Sequence, residues 1–264
     1  MYEFTYRKSA TVEEAADLFN TSEDARYLAG GMTLLPTMKQ RLAAPEVLID
    51  LNGIAALEGI EKHNNEIVIG ALTTHATVAS SALVQRYIPA LAELASRIGD
   101  PQVRNRGTLG GSVANSDPAA DYPAAVLGLN ATIQTNKRLL SAEEFFIDLF
   151  ETALQEDELI TFLSFPIPEK AAYQKFPNPA SGYAVVGVFI ADTVTGIRVA
   201  VTGAAGKVYR AEAIETALTK DFSAASLVDL EIDSSDFNED IHASAEYRAH
   251  LVGVLARRSV DSLV

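Results

Sequence analysis

The stretch RNRGTLGGSVANSDPAADYP, from Arg104 to Pro123, holds three glycines (Gly107, Gly110, Gly111) and two aspartates (Asp117, Asp121). A second glycine pair stands in AGGMTLLPTMK, residues 29–39. In each segment a threonine lies close to adjacent glycines, a pattern that frees backbone N–H groups. Glycine adopts positive φ without cost and lets main chain approach a ligand closely. Successive N–H groups in such a turn form a concave anion site, and helix starts add to the field. That chemistry suits a diphosphate, with Lys39 and Arg41 as local positive charge. Asp117 and Asp121 have two readings. They cap their own proline-flanked loop, or they accept hydrogen bonds from ligand hydroxyls, as a ribose or ribityl chain requires. Nothing near them resembles the partner of a nucleophile. Neither glycine segment reads GxGxxG after a strand, and no GxxxxGK[ST] occurs, so a Rossmann cradle and a P-loop are not supported.

Composition narrows the field further. The 264 residues contain no cysteine, which removes disulfides, thiolate nucleophiles and cysteine-held zinc or iron–sulfur clusters. The four histidines, His63, His75, His242 and His250, are scattered without ligand spacing, so no metal site is expected. A net charge of −14 argues against nucleic acid and against an anionic membrane surface. In an acidic chain without lysine clusters, backbone donors can hold a phosphate. The start, MYEFTYRKSATVEEAADLF, has no basic-then-apolar leader. No apolar run approaches the ~18 residues of a membrane span. A cytoplasmic protein is expected.

The elements that must carry these loops follow from patterning. Thr11 and Glu14 have capping-box spacing, with apolar positions at helical period through Phe19. ARYLAG, VLIDL (47–51) and NEIVIGALTT (65–74) read as strands, and Val78 to Ile98 as helical. There is no regular βαβ beat, so the fold class is α+β. After the quoted loop, AAVLGLNATIQT passes from a helix end into a strand, and LITFLSFPIP (159–168) is a strand. Pro166, Pro168, Pro177 and Pro179 mark a composition shift, placing a boundary near Ile167: domains 1–167 and 168–264. Two strands then meet at a turn near Thr195-Gly196, followed by helical stretches at Ala211–Thr219 and Ser223–Leu230. The acidic run DLEIDSSDFNED reads as a solvated face. A final helix, SAEYRAHLVGVLARRSV, ends with Arg257 and Arg258 at its negative pole.

AGGMTLLPTMKQRLAAPEVLIDL, IGALTTHATV, GDPQVRNRGTLGGSVANSDPAADYPAAVLGL and EYRAHLVGVLARR together resemble the FAD-binding (medium) subunits of molybdenum hydroxylases. Carbon monoxide dehydrogenase medium subunits and the flavin domain of xanthine dehydrogenase belong to that family. The resemblance runs over almost the whole chain. It implies an oxidoreductase subunit with a first domain of the vanillyl-alcohol-oxidase type. A small C-terminal domain with a three-stranded antiparallel sheet and helices would follow. It also implies non-covalent FAD, a large molybdopterin subunit, a small subunit with [2Fe–2S] clusters and a dimer of heterotrimers. Electrons would enter the flavin singly and leave in pairs to NAD⁺, a quinone or oxygen.

By the same resemblance, Leu28, Ala29, Gly30, Gly31, Met32, Thr33 and Leu34 would wrap the diphosphate, with Lys39 nearby. Thr108, Leu109, Gly110, Gly111 and Ser112 would form the second flavin loop. Asp121, assisted by Asp117, would bond the sugar or ribityl hydroxyls. Ile98 and Lys175 would lie by the flavin, Ile160 on the adenine side, and Tyr183 over the isoalloxazine. The chain departs from the family pattern at Gly182, where an acid is usual. The alternatives are a self-sufficient flavin oxidase or reductase, and a flavin-free interaction module.

Overall fold

The computed structural model describes all 264 residues. Its first unit is a small parallel sheet. The strands are β1 (Thr5–Lys8), β2 (Ala25–Leu28) and β3 (Val47–Asp50), in the order β1-β3-β2. Helices α1 (Val12–Asn20) and α2 (Leu34–Lys39) make the crossovers. The capping box forms with one shift: Thr11 Oγ1 accepts from Glu14 N at 3.1 Å, while Glu14 Oε2 reaches Ala10 N at 2.7 Å. This opening does have a βαβαβ beat, contrary to the sequence reading. Helix α2 hides it, because six residues after two glycines and around Pro36 show too little helical period.

The second unit is an antiparallel sheet with the order β4-β5-β10-β6-β7. Its strands are β4 (Ile60–His63), β5 (Glu66–Gly70), β6 (Thr132–Thr135), β7 (Leu139–Ser141) and β10 (Ile160–Pro166). Between β5 and β6 come α3 (His75–Ser80), α4 (Ala82–Tyr87), α5 (Pro89–Ser96), α6 (Pro101–Arg104), α7 (Leu109–Asn115) and α8 (Tyr122–Gly128). Between β7 and β10 lie α9 (Ala142–Phe145) and a hairpin of β8 (Phe146–Asp148) and β9 (Glu151–Thr152). The expected helix from Val78 to Ile98 is broken into three. Ser81 caps a new start, and Pro89 opens the next helix at a position where its missing N–H does no harm.

The third unit carries β11 (Lys170–Pro177), β12 (Ala184–Thr193), β13 (Gly196–Thr202) and β14 (Tyr209–Arg210), paired antiparallel in that order. Three strands are long, and β14 adds a two-residue edge. Strand β12 is buried without a break from Ala184 to Ala191, because both of its faces are covered. Phe189 and Ala191 join the main core against α8. Val186, Val188 and Ile190 pack with residues of α10 (Glu212–Lys220) and α11 (Ala245–Asp261). A strand covered on both sides reads as an apolar run rather than an alternation. The stretch expected as helix at Ser223–Leu230 forms only a short 3₁₀ turn, Ala224–Leu227. The acidic run is exposed at every carboxylate.

Buried Arg198 of β13 ties the units together. Its guanidinium donates to Leu127 O, at the carbonyl end of α8, at 3.1 and 2.9 Å, and to Glu143 at 3.0 Å. Replacing Arg198 by Leu removes the charged donor from Leu127 O, which keeps only backbone partners such as Asn130 N, and leaves Glu143 with Arg210 alone. The expected cost is about 2–3 kcal/mol, read as a lower urea midpoint at an unchanged m-value.

Candidate functional site

A cavity of about 620 Å³ opens where the three units meet, within the ~300–1,000 Å³ usual for small-molecule sites. Its central wall is the turn from β2 into α2. Leu28, Ala29, Gly30, Gly31, Met32, Thr33 and Leu34 all line it. From Ala29 through Leu34, no backbone N–H has an acceptor within the protein. Met32 and Thr33 are exposed to water, but Gly30 is buried and Ala29, Gly31 and Leu34 are half-buried, where unpaired main-chain donors are costly and suit a partner from outside the chain.

Two contacts fix this turn. Asn52, just past β3, donates its side-chain amide to Ala29 O at 2.8 Å and is itself held by Asp50. Gly30 packs against the second glycine segment: a β-carbon there would lie 2.1 Å from Arg106 O and 2.8 Å from the Gly107 Cα. Gly31 takes φ +73°, the left-handed region that glycine alone enters freely.

The second segment works differently from the sequence reading. Its residues form α7, with Thr108 as N-cap. Leu109 N donates to Thr73 O at 3.0 Å, Gly110 N to Ala71 O at 2.8 Å and Ser112 N to Thr108 O at 3.0 Å. Gly111 N is capped by Thr108 Oγ1 at 3.2 Å. These amides are spent inside the fold. Gly110 is required by packing, since a β-carbon would lie 2.5 Å from the Ala71 Cβ, and its φ is not positive. Thr108, Gly110, Gly111 and Ser112 line the cavity as shape, while the Leu109 side chain is buried in the main core.

Asp117 and Asp121 both line the cavity. Asp121 is only 4% exposed. Its Oδ1 accepts from Tyr173 OH at 2.5 Å and from Lys175 Nζ at 2.9 Å, and its Oδ2 meets Lys175 at 3.1 Å. Burial pushes this carboxyl up, while Lys175 and Tyr173 pull it back down. Asp117 is raised by burial too, and its Oδ1 accepts from Ala119 N at 2.9 Å, an Asx turn. The capping role of Asp117 is therefore real and leaves Oδ2 without a partner.

Ile98, Ile160 and Tyr183 also line the cavity. Tyr183 is 42% exposed. Burial raises its hydroxyl, and the nearby Asp117 and Asp121 add to the shift. Lys175 does not reach the cavity. Its ammonium lies beneath, donating to Arg97 O at 2.8 Å and Gly182 O at 2.9 Å as well as to Asp121. Lys39 sits exposed in the last turn of α2, away from the cavity, because the helix carries it past the glycine turn.

Sequence reasoning missed His75, Glu158 and Phe150, which line the same cavity. Glu158 is held by burial against strong donors. Desolvation would raise it, but Arg138, Thr135 Oγ1 and Gln155 N bring it down to about 2. His75 packs on Tyr122 with ring centroids 5.3 Å apart and has no partner for Nδ1. Its one signal in the sequence was the Thr74 cap that opens α3 beside it.

These features define a small-molecule cavity whose central wall is a run of unpaired main-chain donors. Residues 2–168 match the family described as FAD binding domain in molybdopterin dehydrogenase. Residues 171–263 match the CO dehydrogenase flavoprotein C-terminal domain. The chain belongs to this family and is an FAD-binding medium subunit of the molybdenum hydroxylase type. It is 36% identical to the nicotine 6-hydroxylase medium subunit of Paenarthrobacter nicotinovorans, over 97% of this chain and 95% of that one. It is 35% identical to the carbon monoxide dehydrogenase medium chain of Hydrogenophaga pseudoflava, over 98% and 96%. The reconstituted CO dehydrogenase of Oligotropha carboxidovorans superposes with a TM-score of 0.92 at 32% identity, covering 98% of this chain and 97% of that one. No helix is long and apolar enough to cross a membrane.

Burial, with Arg104 adding to it, pushes His75 down from 6.5 to about 4. The folded protein therefore resists a proton that the unfolded chain takes up below about 6.5. The stabilising contribution of neutral His75 is complete above that pH and declines as pH falls toward 4. His75→Gln is expected to flatten the loss of Tm between pH 6.5 and 5; an unchanged slope contradicts a buried neutral imidazole.

Proposed function

We propose that this chain is the flavin-carrying electron-transfer subunit of a heterotrimeric molybdenum hydroxylase in the cytoplasm, paired as a dimer of heterotrimers. The proposal extends to its neighbours: a large molybdopterin subunit that oxidises substrate and a small subunit that delivers electrons from [2Fe–2S] clusters. NAD⁺, a quinone or oxygen would take the electrons away. The observation that carries this reading is the run of unpartnered amides from Ala29 to Leu34 on the cavity wall. The cavity lining holds one arginine, Arg26, and no lysine, so fixed N–H dipoles would carry most of the attraction for phosphate. Bound FAD would supply the redox chemistry, accepting electrons singly and releasing them in pairs.

The chain's own residues hold and orient. The amides of 29–34 would take the diphosphate. Asp121, clamped by Tyr173 and Lys175, keeps a fixed carboxylate whose Oδ2 has one protein partner. It and the free Oδ2 of Asp117 would accept from sugar or ribityl hydroxyls. Lys175, saturated by its three acceptors, positions Asp121 and the turn at Gly182. Ile98 would pack by the flavin, Ile160 would sit on the adenine side, and Tyr183 would cover the isoalloxazine. The two named relatives carry different substrates in their names, nicotine and carbon monoxide. That supports a subunit that passes electrons without choosing the substrate.

The isolated chain should load with one FAD and turn over no substrate. Acid precipitation should release all of the flavin, as non-covalent binding requires. Gly30→Ala pushes the two glycine segments apart and should weaken FAD at least tenfold by titration. Wild-type chain that cannot be loaded would sink the reading.

A further inference from the structure

The cavity lining carries two kinds of chemistry. Asp117, Asp121 and Tyr183 suit a hydroxyl-rich chain. Phe150, Leu154, Leu159 and Ile160 are apolar. Beside Leu159 in the chain, Glu158 is already engaged by Arg138, Thr135 and Gln155 N, and offers little to a ligand hydroxyl. That part of the lining suits a flat apolar group.

Phe150 is the anomaly there. It stands at the tip of the β8–β9 hairpin with φ +55° and 57% of its surface exposed. A bulky aromatic in the left-handed region is strained. Such strain persists where the surroundings impose it, and it clusters at ligand clamps. Here they do impose it. Lys207 Nζ donates to Ile147 O at 2.7 Å, Ala153 N to Phe145 O at 2.9 Å, and the Arg138 guanidinium to Ala153 O at 2.6 Å. The neighbours Ile147 and Leu149 are exposed as well, yet only Phe150 lines the cavity. Its ring pairs with no other aromatic ring.

We propose that Phe150 is the platform on which the adenine of the dinucleotide stacks, and that it makes this cavity select FAD over FMN. The inference rests on the reading that the diphosphate lies on the amides of 29–34. Phe150 offers a base in this cavity an open aromatic face, whereas Tyr27, also in the lining, is already packed on Phe19 with ring centroids 4.8 Å apart. Stacking of a base on an aromatic side chain is strong enough to change affinity by about tenfold or more.

The test is equilibrium titration of the flavin-free full chain with FAD, FMN and ADP. Phe150→Ala should raise the FAD Kd about tenfold or more, weaken ADP by a similar factor, and leave FMN within about twofold. Phe150→Trp should restore FAD. Phe150→Gly should lose FAD as Phe150→Ala does, while its Tm equals or exceeds the wild type's, because glycine relieves the left-handed strain. Unchanged FAD affinity in Phe150→Ala overturns the inference and leaves the flavin reading standing. An equal loss for FAD and FMN also overturns it, since the effect would then be general damage. A wild-type chain that binds none of the three overturns the flavin reading and this inference together.

Discussion

Everything in the site depends on a short length of main chain whose donors are left unspent. Between β2 and α2 the chain turns too tightly for strand pairing and too early for helix bonding. The amides from Ala29 to Leu34 consequently have no partner inside the molecule. An acidic chain gains from this arrangement, because fixed dipoles attract phosphate without adding a cationic patch. The turn stays open because its surroundings are rigid. Asn52 holds the Ala29 carbonyl from the end of β3, and Gly30 lies flush against the Arg106–Gly107 backbone.

The rest of the fold can be ordered by its distance from that turn. Helix α7 supplies a snug wall rather than donors, its first amides being bonded to the Ala71–Thr73 backbone and to Thr108. Beneath, Tyr173 and Lys175 of β11 fix Asp121, which begins α8. Strands β12 and β13 support α8, and Arg198 binds the carbonyl of Leu127 near its end. The C-terminal unit thus reaches the site through one buried carboxylate and the turn at Ser181–Tyr183. A redox cofactor carries its own chemistry and asks the protein for position and electrostatics.

Much of this was legible in the amino-acid order. Gly30 and Gly31 announced the turn, and the Thr11 capping box announced α1. The run AVVGVFIA announced a strand, though not that both of its faces are covered. What stayed hidden was set by tertiary contact. Adjacent glycines look the same whether they free amides, as at Gly31, or allow close packing, as at Gly110 against Ala71. Lys39 is near the turn in sequence, yet α2 carries it away. Lys175 answers to Asp121 from fifty-four positions downstream, a pairing no local pattern records. His75 gives no signal beyond the Thr74 cap beside it, and Phe150 gives none. One matters through burial against Tyr122, the other through a backbone angle that only the hairpin imposes.

The central claim is that the donors of 29–34, and not those of α7, take the diphosphate. Amide hydrogen exchange, measured with and without saturating FAD, tests it most directly. The account requires strong slowing from Ala29 to Leu34 on binding, with little change at Leu109 to Ser112, whose amides are already bonded in the free chain. Tight FAD binding with no added protection at 29–34 would contradict it.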